Sequence, residues 1–299
     1  MMRQIAGRSL ALGWAFCVCA AWGQSVVPPD HSATLLRAQH MLLLPKLGRS
    51  DLQLPLIIRS EEAGSRVVGE VFALVDYPVK QVSSALTDPQ RWCDIMILHI
   101  NTKYCRARLD PTLTLLTAFI GKKTPQALTD AQRIDFTYRV ASTTPEYFSV
   151  TLDAGQGPMG TSNYRILVEV VSLSAQSSFL HLTYAYSINM LGRVAMNTYL
   201  ASAGRSKVGF TRTDSAAAGP PAYVGGLRGM VERNTMRYYL AILAHLQSAQ
   251  LPEAARTEAS LGQWFASTER YARQLHEAEL SEYLAMKRAE ILRQKAGPS

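Results

Sequence analysis

The stretch that decides the fold is residues 69–95, GEVFALVDYPVKQVSSALTDPQRWCDI, because the spacing of its apolar residues changes part-way along. Residues 71, 73, 75 and 77 form one face of a predicted strand, and Glu70 and Asp76 lie on the other. From Val79 onward the apolar residues recur every three or four positions, which indicates a helix. A strand is therefore expected to lead directly into helical structure.

Two short helices are predicted in the second half of this stretch. Val79, Val82 and Leu86 have the spacing of the first helix. Asp88 then predicts an N-cap for the second helix, with Pro89 at its first position. The chain therefore places two short helices between its first long strand and whatever follows Cys105.

The segments that follow are predicted to be antiparallel strands with one apolar face. Alternation of apolar and polar residues favours a sheet that is buried on one side only. The residues predicted to face inward are Ile134, Phe136, Tyr138, Val140, Phe148, Val150, Leu152, Tyr164, Ile166, Val168, Val170, Leu180, Leu182, Tyr184, Tyr186 and Ile188.

Upstream of this region the sequence predicts a helix, a loop and a hairpin. Residues 31–43 have the pattern of a short helix, and Pro45, Gly48 and Pro55 indicate a loop after it. Two strand-like runs, 56–60 and 67–77, are separated by a charged segment that contains Gly64, which predicts a hairpin.

A long helix is predicted over GLRGMVERNTMRYYLAILAHLQ, residues 226–247. At 100° per residue its apolar side chains fall on two arcs, so we expect it to pack against the sheet on one side and against the C-terminal tail on the other. The first arc contains Leu227, Val231, Asn234, Tyr238, Ile242 and Leu246, and the second contains Met236, Tyr239, Leu240 and Leu243. Arg233 and Arg237 fall in the remaining, more polar sector, and Glu232 is expected to pair with Arg228 one turn away.

This order of elements resembles the helix-grip fold of the START-related superfamily, in a bacterial secreted branch. The similarity lies in residues 69–95, in GPMGTSNYRI (157–166) and in RGMVERNTMRYYLAILAHL (228–246). It covers residues 56–250 and implies an α+β domain in which a curved antiparallel sheet wraps around the long helix. It also implies an apolar tunnel for sterols, phospholipids or aromatic polyketides. Residues 24–55 are then an N-terminal helix and loop, and residues 251–299 a C-terminal helical extension.

The first 23 residues have the features of a cleaved signal peptide. Arg3 and Arg8 precede an apolar stretch, Ser9 to Ala21, and small residues stand at Ala21 and Gly23. The apolar stretch is short for a membrane span. We therefore expect cleavage after Gly23 and a periplasmic or secreted protein, and an uncleaved anchor is the alternative.

Cys93 and Cys105 are the two cysteines that remain after such cleavage. An even count in an oxidising compartment favours a disulfide between them. Unpaired thiols are one alternative, and a metal site that includes His99 is another. The irregular spacing matches zinc patterns poorly.

The predicted ligand site is the inward face of the sheet together with the long helix. The residues expected to line it are Phe136, Tyr138, Phe148, Tyr164, Tyr184, Tyr186, Asn234 and Tyr238. Such a wall is apolar with a few hydroxyl groups that can orient a ligand. A charged head group is expected at the mouth, because burying it unpaired is costly. For each aromatic residue, ordinary core packing is the alternative.

The expected function is the binding or transport of a hydrophobic small molecule. The sequence contains no GxSxG, HExxH, P-loop or GxGxxG motif, so no catalytic residue, metal or cofactor is predicted. A cavity-shaped enzyme of cyclase or hydrolase type is the first alternative, by analogy of fold. The second is a structural envelope protein that binds partners through Trp264 and Phe265.

The charge of the chain indicates little about its partners. The formal charge is +8, and loss of Arg3 and Arg8 leaves +6. A positive excess favours anionic surfaces, so transient membrane contact is left open. The basic residues are scattered, and no nucleic-acid partner is expected. The oligomeric state is not predicted.

Overall fold

The computed structural model describes residues 29–110, 112–202, 204–213 and 222–297. The predicted signal peptide, residues 1–23, lies outside them. The helices are α1 (Pro29–Leu47), α2 (Val79–Leu86), α3 (Pro89–Met96), α4 (Met190–Ala201), α5 (Gly226–Ser248), α6 (Glu253–Glu269), α7 (Ala272–Leu275) and α8 (Leu280–Ala296). The strands are β1 (Leu56–Ala63), β2 (Arg66–Val75), β3 (Thr102–Arg108), β4 (Thr114–Ile120), β5 (Gln132–Thr143), β6 (Tyr147–Gln156), β7 (Thr161–Ser172) and β8 (Ser178–Ile188). A single 3-10 turn, Leu128–Asp130, precedes β5.

The strands form one antiparallel sheet of eight, in the order β1-β2-β8-β7-β6-β5-β4-β3. Helices α2 and α3 connect β2 to β3, which lie at opposite sides of the sheet. Helix α5 packs across β1, β2 and β8 on the inner face. This arrangement confirms the predicted α+β helix-grip fold.

The first turns of the fold form for the reasons that the sequence predicts. The β1–β2 hairpin turns at Gly64, whose φ of 56° is readily adopted only by glycine. The carboxylate of Asp88 accepts a hydrogen bond from the Gln90 backbone N–H and caps α3, with Pro89 at its first position. The observed α2 and α3 match the two predicted short helices.

Helix α5 approaches the sheet closely at Gly69 of β2. A Cβ atom at this position would lie 2.3 Å from Thr235 Oγ1 and 3.2 Å from a methyl carbon of Val231. Any larger residue would therefore push the helix away from the strands. The glycine lets backbone pack against backbone where the sheet wraps around α5.

The outer face of the sheet is covered by α1, which the sequence analysis did not foresee. The helix was predicted over residues 31–43 with Pro45 in a loop, and this limit is wrong because α1 continues to Leu47. A proline at this position removes one helical hydrogen bond and crowds the carbonyl one turn back, yet the helix runs on to Leu47, which is buried. The cluster beneath α1 contains Ala33, Leu36, Leu43, Leu47, Phe72, Tyr147, Val171 and Phe179.

The C-terminal extension folds back onto α5 and onto edge strand β3. Helix α6 packs along α5, and the indole N–H of Trp264 donates to the Arg237 carbonyl at 3.1 Å. The Trp264 ring stacks on Tyr283 of α8. Both residues are buried, so the tail packs against its own domain. None of the helices in the described ranges is long and apolar enough to cross a bilayer.

Successive turns of α8 form hydrogen bonds with backbone groups of edge strand β3 and of the segment before it. The Tyr283 hydroxyl donates to Leu98 O at 2.9 Å, and Lys287 Nζ donates to His99 O and Thr102 O at 2.8 Å each. The side-chain oxygen of Gln294 accepts from the Cys105 N–H at 3.0 Å. Unpaired edge strands invite association with other chains, so α8 protects this edge.

A disulfide joins Cys93 at the end of α3 to Cys105 in β3, with the Cα atoms 5.1 Å apart. This is the pairing expected from the sequence. The two residues are 12 positions apart, and both are fully buried. The bond therefore fixes the two short helices against the edge of the sheet.

Loss of the disulfide should destabilise the protein. The free energy of unfolding of the double variant Cys93→Ala/Cys105→Ala should be about 3 kcal/mol lower than that of the unsubstituted protein. This is the chain-entropy value for a loop of this size. Urea denaturation measures this difference. Reductant should lower the stability of the unsubstituted protein similarly and leave the variant unchanged. Equal stability of the two proteins without reductant would contradict the expectation.

Candidate functional site

Five aromatic residues form a connected group between the sheet and α5. The contacts run from Phe136 to Tyr164, from Tyr164 to Tyr184 and Tyr186, and from Tyr184 to Tyr238 of α5. The ring centroids in these pairs are 5.3 to 6.3 Å apart. These five residues, here called the tyrosine cluster, all belong to the site predicted from the sequence.

The strand register divides the interior of the sheet into two regions. Tyr164 lies opposite Ala154, and Tyr184 lies opposite Ile166 and Gly69. Two residues before Tyr184 on β8, and at the positions paired with it on the neighbouring strands, the side chains are aliphatic. These aliphatic neighbours are Val71, Val150, Val168 and Leu182, followed by Ala73, Val170 and Leu180. The interior therefore changes from tyrosine-rich to aliphatic along the strands.

Three rings of the tyrosine cluster keep more accessible surface than the aliphatic end does. Tyr164, Tyr184 and Tyr238 lie deep in the protein, yet 8%, 7% and 7% of their surfaces remain accessible to a water-sized sphere. Val150 and Val168 have no accessible surface. The aliphatic end is packed as protein interiors normally are, whereas Tyr164, Tyr184 and Tyr238 are each accessible in part.

The hydroxyl groups of the cluster differ in their partners. Tyr164 donates to Thr161 Oγ1 at 2.8 Å. The Tyr186 hydroxyl is buried and has no hydrogen-bond partner in the described part of the chain. Burial raises the pKa values of Tyr164, Tyr184, Tyr186 and Tyr238 above the ordinary value for tyrosine. These hydroxyl groups therefore remain protonated at neutral pH and can donate hydrogen bonds.

Two of the predicted aromatic residues lie outside the cluster. Tyr138 donates to the carbonyls of Leu86 and Thr87, at 2.8 and 2.7 Å, and so fastens β5 to the end of α2. Phe148 has no accessible surface and lies opposite Val170 in the aliphatic region. Both positions are those of core residues.

Asn234, the remaining predicted residue, lies half-buried beside His99. The His99 ring lies 5.1 Å from that of Tyr238, so it extends the polar part of the site. Burial, together with the charges of Arg237, Lys287 and Lys123, holds the pKa of His99 well below its usual value. His99 is therefore neutral at pH 7, a weak base suited to hydrogen bonding.

Three charged residues of α5 occupy different environments from those predicted. Glu232 does not pair with Arg228. Its carboxylate accepts from the N–H groups of Phe210 and Thr211, at 2.6 and 2.9 Å, and from the hydroxyls of Ser60 and Thr211.

Arg233 and Arg237, which fall in the more polar sector of α5, are both buried. The segment around Val208 and the loop around Glu277 cover that sector and supply its hydrogen-bond acceptors. The sequence contains one signal for this contact. The two arginines lie one turn apart on a helix with two apolar arcs, and the acidic segment HEAE follows at 276–279.

Two other histidines, His181 and His245, have different surroundings. His181 is on the outer face, between Glu70 Oε1 at 2.9 Å and Glu169 Oε2 at 3.2 Å. Burial acts to lower its pKa, but these carboxylates raise it overall. His245 lines a groove of about 860 Å³ between α3, β3 and the tail, whose walls carry charges of both signs. Within the described ranges no group of three or more His, Cys, Asp or Glu residues could hold a metal ion.

Helix α4 lies against α5 and joins the ends of two hairpins. Asn189 caps α4, and its backbone N–H donates to Gly160 O in the β6–β7 turn at 2.9 Å. Arg193 forms an ion pair with Glu62 and donates to Gly64 O in the β1–β2 hairpin. The outward side of α4 is apolar and exposed, at Met190, Leu191 and Val194, with Met159 of the neighbouring turn.

Comparison with known proteins finds only distant structural similarities. No protein-family model matches the chain, and no curated protein matches its sequence. Among solved structures, human StAR-related lipid transfer protein 5 is 11% identical, with a TM-score of 0.31, over 58% of this chain and 91% of that one. The Zhui aromatase/cyclase of a Streptomyces species is 10% identical, with a TM-score of 0.31, over 70% of this chain and 95% of that one. Norcoclaurine synthase of Thalictrum flavum is 12% identical, with a TM-score of 0.30, over 46% of this chain and 83% of that one.

The described chain has the arrangement of a helix-grip fold. Its own strand order supports this assignment: β2 pairs with β8, and two helices lead from β2 to the far edge of the sheet. Strand β1 and helices α1, α6, α7 and α8 extend the predicted core arrangement of strand, helix pair, meander and long helix.

Removing one hydroxyl at a time should separate the open part of the interior from the packed part. Tyr138→Phe loses hydrogen bonds to two backbone carbonyls and should lower the free energy of unfolding by about 1 kcal/mol or more. Tyr186→Phe removes a buried hydroxyl that has no partner and should leave the stability unchanged or slightly higher. Chemical denaturation of the two matched variants measures both effects. A larger loss for Tyr186→Phe would show that its hydroxyl is bonded within the protein.

Proposed function

We propose that this protein binds an apolar small molecule beside the tyrosine cluster and carries it. The observation that supports this function is the accessible surface of deeply placed aromatic rings, next to a buried hydroxyl without a partner. Small-molecule sites typically combine an apolar lining with a few polar groups that fix orientation. A gap beside the tyrosine cluster would have this composition.

The energy available from such a site is adequate for binding. Apolar surface contributes about 25 cal/mol per Å² when it is removed from water, so a ligand that buries about 200 Å² gains roughly 5 kcal/mol. An acceptor group on the ligand would also satisfy the Tyr186 hydroxyl, whose lack of a partner costs about 1–3 kcal/mol. Packing and polar contacts therefore favour the same location.

The compartment is part of the proposal. Residues 1–23 have the pattern of a signal peptide, so we infer that the mature protein acts in the periplasm or outside the cell. The disulfide between Cys93 and Cys105 is consistent with an oxidising environment. A carrier for apolar molecules has a clear use there, because such molecules cross water poorly without a binding protein.

Filling the gap should prevent binding at little cost in stability. Ala154→Leu adds three carbon atoms opposite Tyr164, where the proposed ligand would lie. This variant should keep its stability and lose most uptake of the neutral apolar dye Nile red, which is measured by fluorescence. Ala73→Leu makes the same change in the fully packed aliphatic region, where overpacking costs about 1–3 kcal/mol.

The comparison of these alanine variants has two outcomes that bear on the proposal. If Ala154→Leu is as destabilising as Ala73→Leu and the unsubstituted protein takes up no dye, the tyrosine cluster is packed core and the carrier function is wrong. If a bound compound is converted into a new product, the cavity-shaped enzyme replaces the carrier.

We infer that the ligand is exchanged with a membrane surface at α4. Met190 and Leu191 are each 81% exposed, and the helix that bears them packs on α5 next to the hairpin ends. An apolar surface with the basic residues Arg66 and Arg205 exposed on adjoining segments fits an anionic bilayer. The bilayer is also where an apolar ligand is most concentrated.

Polar substitution of this surface should slow exchange without weakening binding. Met190→Ser/Leu191→Ser is expected to reduce the rate of dye transfer from anionic vesicles several-fold and to leave the equilibrium affinity unchanged. Leu292→Ser, at an equally apolar and exposed position of α8, should change neither quantity. Stopped-flow fluorescence measures the rate. Identical transfer rates for all three proteins would rule out the α4 surface.

A further inference from the structure

The groove between α3, β3 and the C-terminal extension is separate from the tyrosine cluster. Its volume of about 860 Å³ lies within the usual range for small-molecule sites in proteins. None of the five members of the tyrosine cluster contributes to its walls, which are built from residues of α3, β3, α5, α6 and α8. The groove therefore exists only when the C-terminal extension is folded onto the domain.

Two residues in the walls of this groove each have a buried polar atom without a hydrogen-bond partner in the described part of the chain. These atoms are the Tyr104 hydroxyl oxygen and Nε2 of His245. Tyr104 lies on edge strand β3 and is 2% exposed, and His245 lies in the last turn of α5 and is 8% exposed. Buried polar atoms of side chains normally have a partner. Two exceptions in the walls of one cavity point to a ligand that supplies the missing partners.

Both side chains can take part in a neutral hydrogen bond. A tyrosine hydroxyl can donate or accept. Burial, together with the charges of Arg91 and Arg256, lowers the pKa of His245 to about 4. The ring is therefore neutral at pH 7, and one of its nitrogens donates while the other accepts. The amide N–H and C=O groups of a ligand can satisfy both residues.

The groove also presents unpaired charges of both signs. Arg91 pairs with Asp88 at 3.8 Å, and Arg256 donates to the Leu251 carbonyl at 2.9 Å. Four exposed charged side chains of the walls form no ion pair within the described ranges. These four, here called the rim, are Asp94, Arg106, Glu253 and Lys295.

We propose that this groove binds a short peptide with free ends, whose amide groups bond to Tyr104 and His245 and whose terminal ammonium and carboxylate contact the rim. A peptide combines neutral donors and acceptors with one charge of each sign, as the walls of the groove do. An apolar ligand would leave the two buried polar atoms without partners, which is unfavourable. The site is distinct from the tyrosine cluster and does not depend on the proposed carrier function.

The test compares tetraalanine with N-acetyl-tetraalanine amide, which has the same amide groups but no charged ends. Isothermal titration calorimetry with the full protein should show binding of tetraalanine, and several-fold weaker binding of the blocked peptide, because ion pairs at an exposed rim are individually weak. Tyr104→Phe should weaken the binding of tetraalanine several-fold. It should leave the midpoint of urea denaturation unchanged, because the hydroxyl has no partner within the protein to lose.

A matched pair of variants on β3 tests the rim. Arg106 and Arg108 are both exposed, but only Arg106 lines the groove. Arg106→Gln should reduce the preference for tetraalanine over the blocked peptide, whereas Arg108→Gln should leave both affinities unchanged. Because both substitutions are at exposed positions, they keep the proposal testable even if Tyr104→Phe does not fold.

Four results would overturn the peptide site. The first is that neither peptide binds, and the second is that both bind equally, since the rim would then have no role. The third is a lower urea midpoint for Tyr104→Phe, which would show that the hydroxyl is bonded within the protein. The fourth is the same peptide preference in Arg106→Gln as in Arg108→Gln.

Discussion

The fold depends on the burial of helix α5 on nearly all of its sides. The sheet covers one side, and α6 and the adjoining tail cover another. A helix in this position cannot leave its polar side chains to water, and α5 buries three charged residues, Glu232, Arg233 and Arg237. Each therefore requires partners from elsewhere in the chain, and the segments that supply them become part of the domain.

The partners of these residues explain why the C-terminal extension is ordered against the domain. Glu277 reaches back to Arg237 at 2.7 Å. Further along the tail, Glu290 binds the ammonium groups of Lys103 and Lys287 at 2.9 and 2.8 Å, all three being buried. Burial lowers the pKa of Lys287 to about 8 in spite of Glu290. Removing one member of such a buried pair is strongly destabilising, so these contacts hold the tail in one register.

The sequence predicted the elements that have strong local signals. The change of apolar spacing after Val75, the Asp88 cap and the alternation in β5 to β8 all correspond to observed elements, and their order matches the helix-grip fold. The inward face was also assigned correctly for the five members of the tyrosine cluster. Local signals could not separate Tyr138 and Phe148 from that cluster. Their roles depend on α2 and on strand register, which are contacts between distant parts of the chain.

Long-range contacts also account for what the sequence analysis missed. Arg233 and Arg237 looked like the polar side of an amphipathic helix because their partners lie 25 to 40 residues away along the chain. Helix α1 covers the outer face because its Leu47 belongs to the same buried cluster as Phe179 of β8. No sequence pattern links these two distant positions. Charged residues on an otherwise apolar helix indicate either that this side faces solvent or that it contacts a counter-ion from a distant part of the chain. Only the tertiary structure distinguishes the two.

The central claim is that the interior beside the tyrosine cluster holds an apolar molecule. Its most direct test is the mass of the protein, purified from the organism that makes it without detergent, measured under native and then denaturing conditions. The proposed function predicts a native mass that exceeds the denatured mass by that of one small organic compound, recoverable by solvent extraction. Identical masses under both conditions, with nothing recovered in the extract, would contradict it.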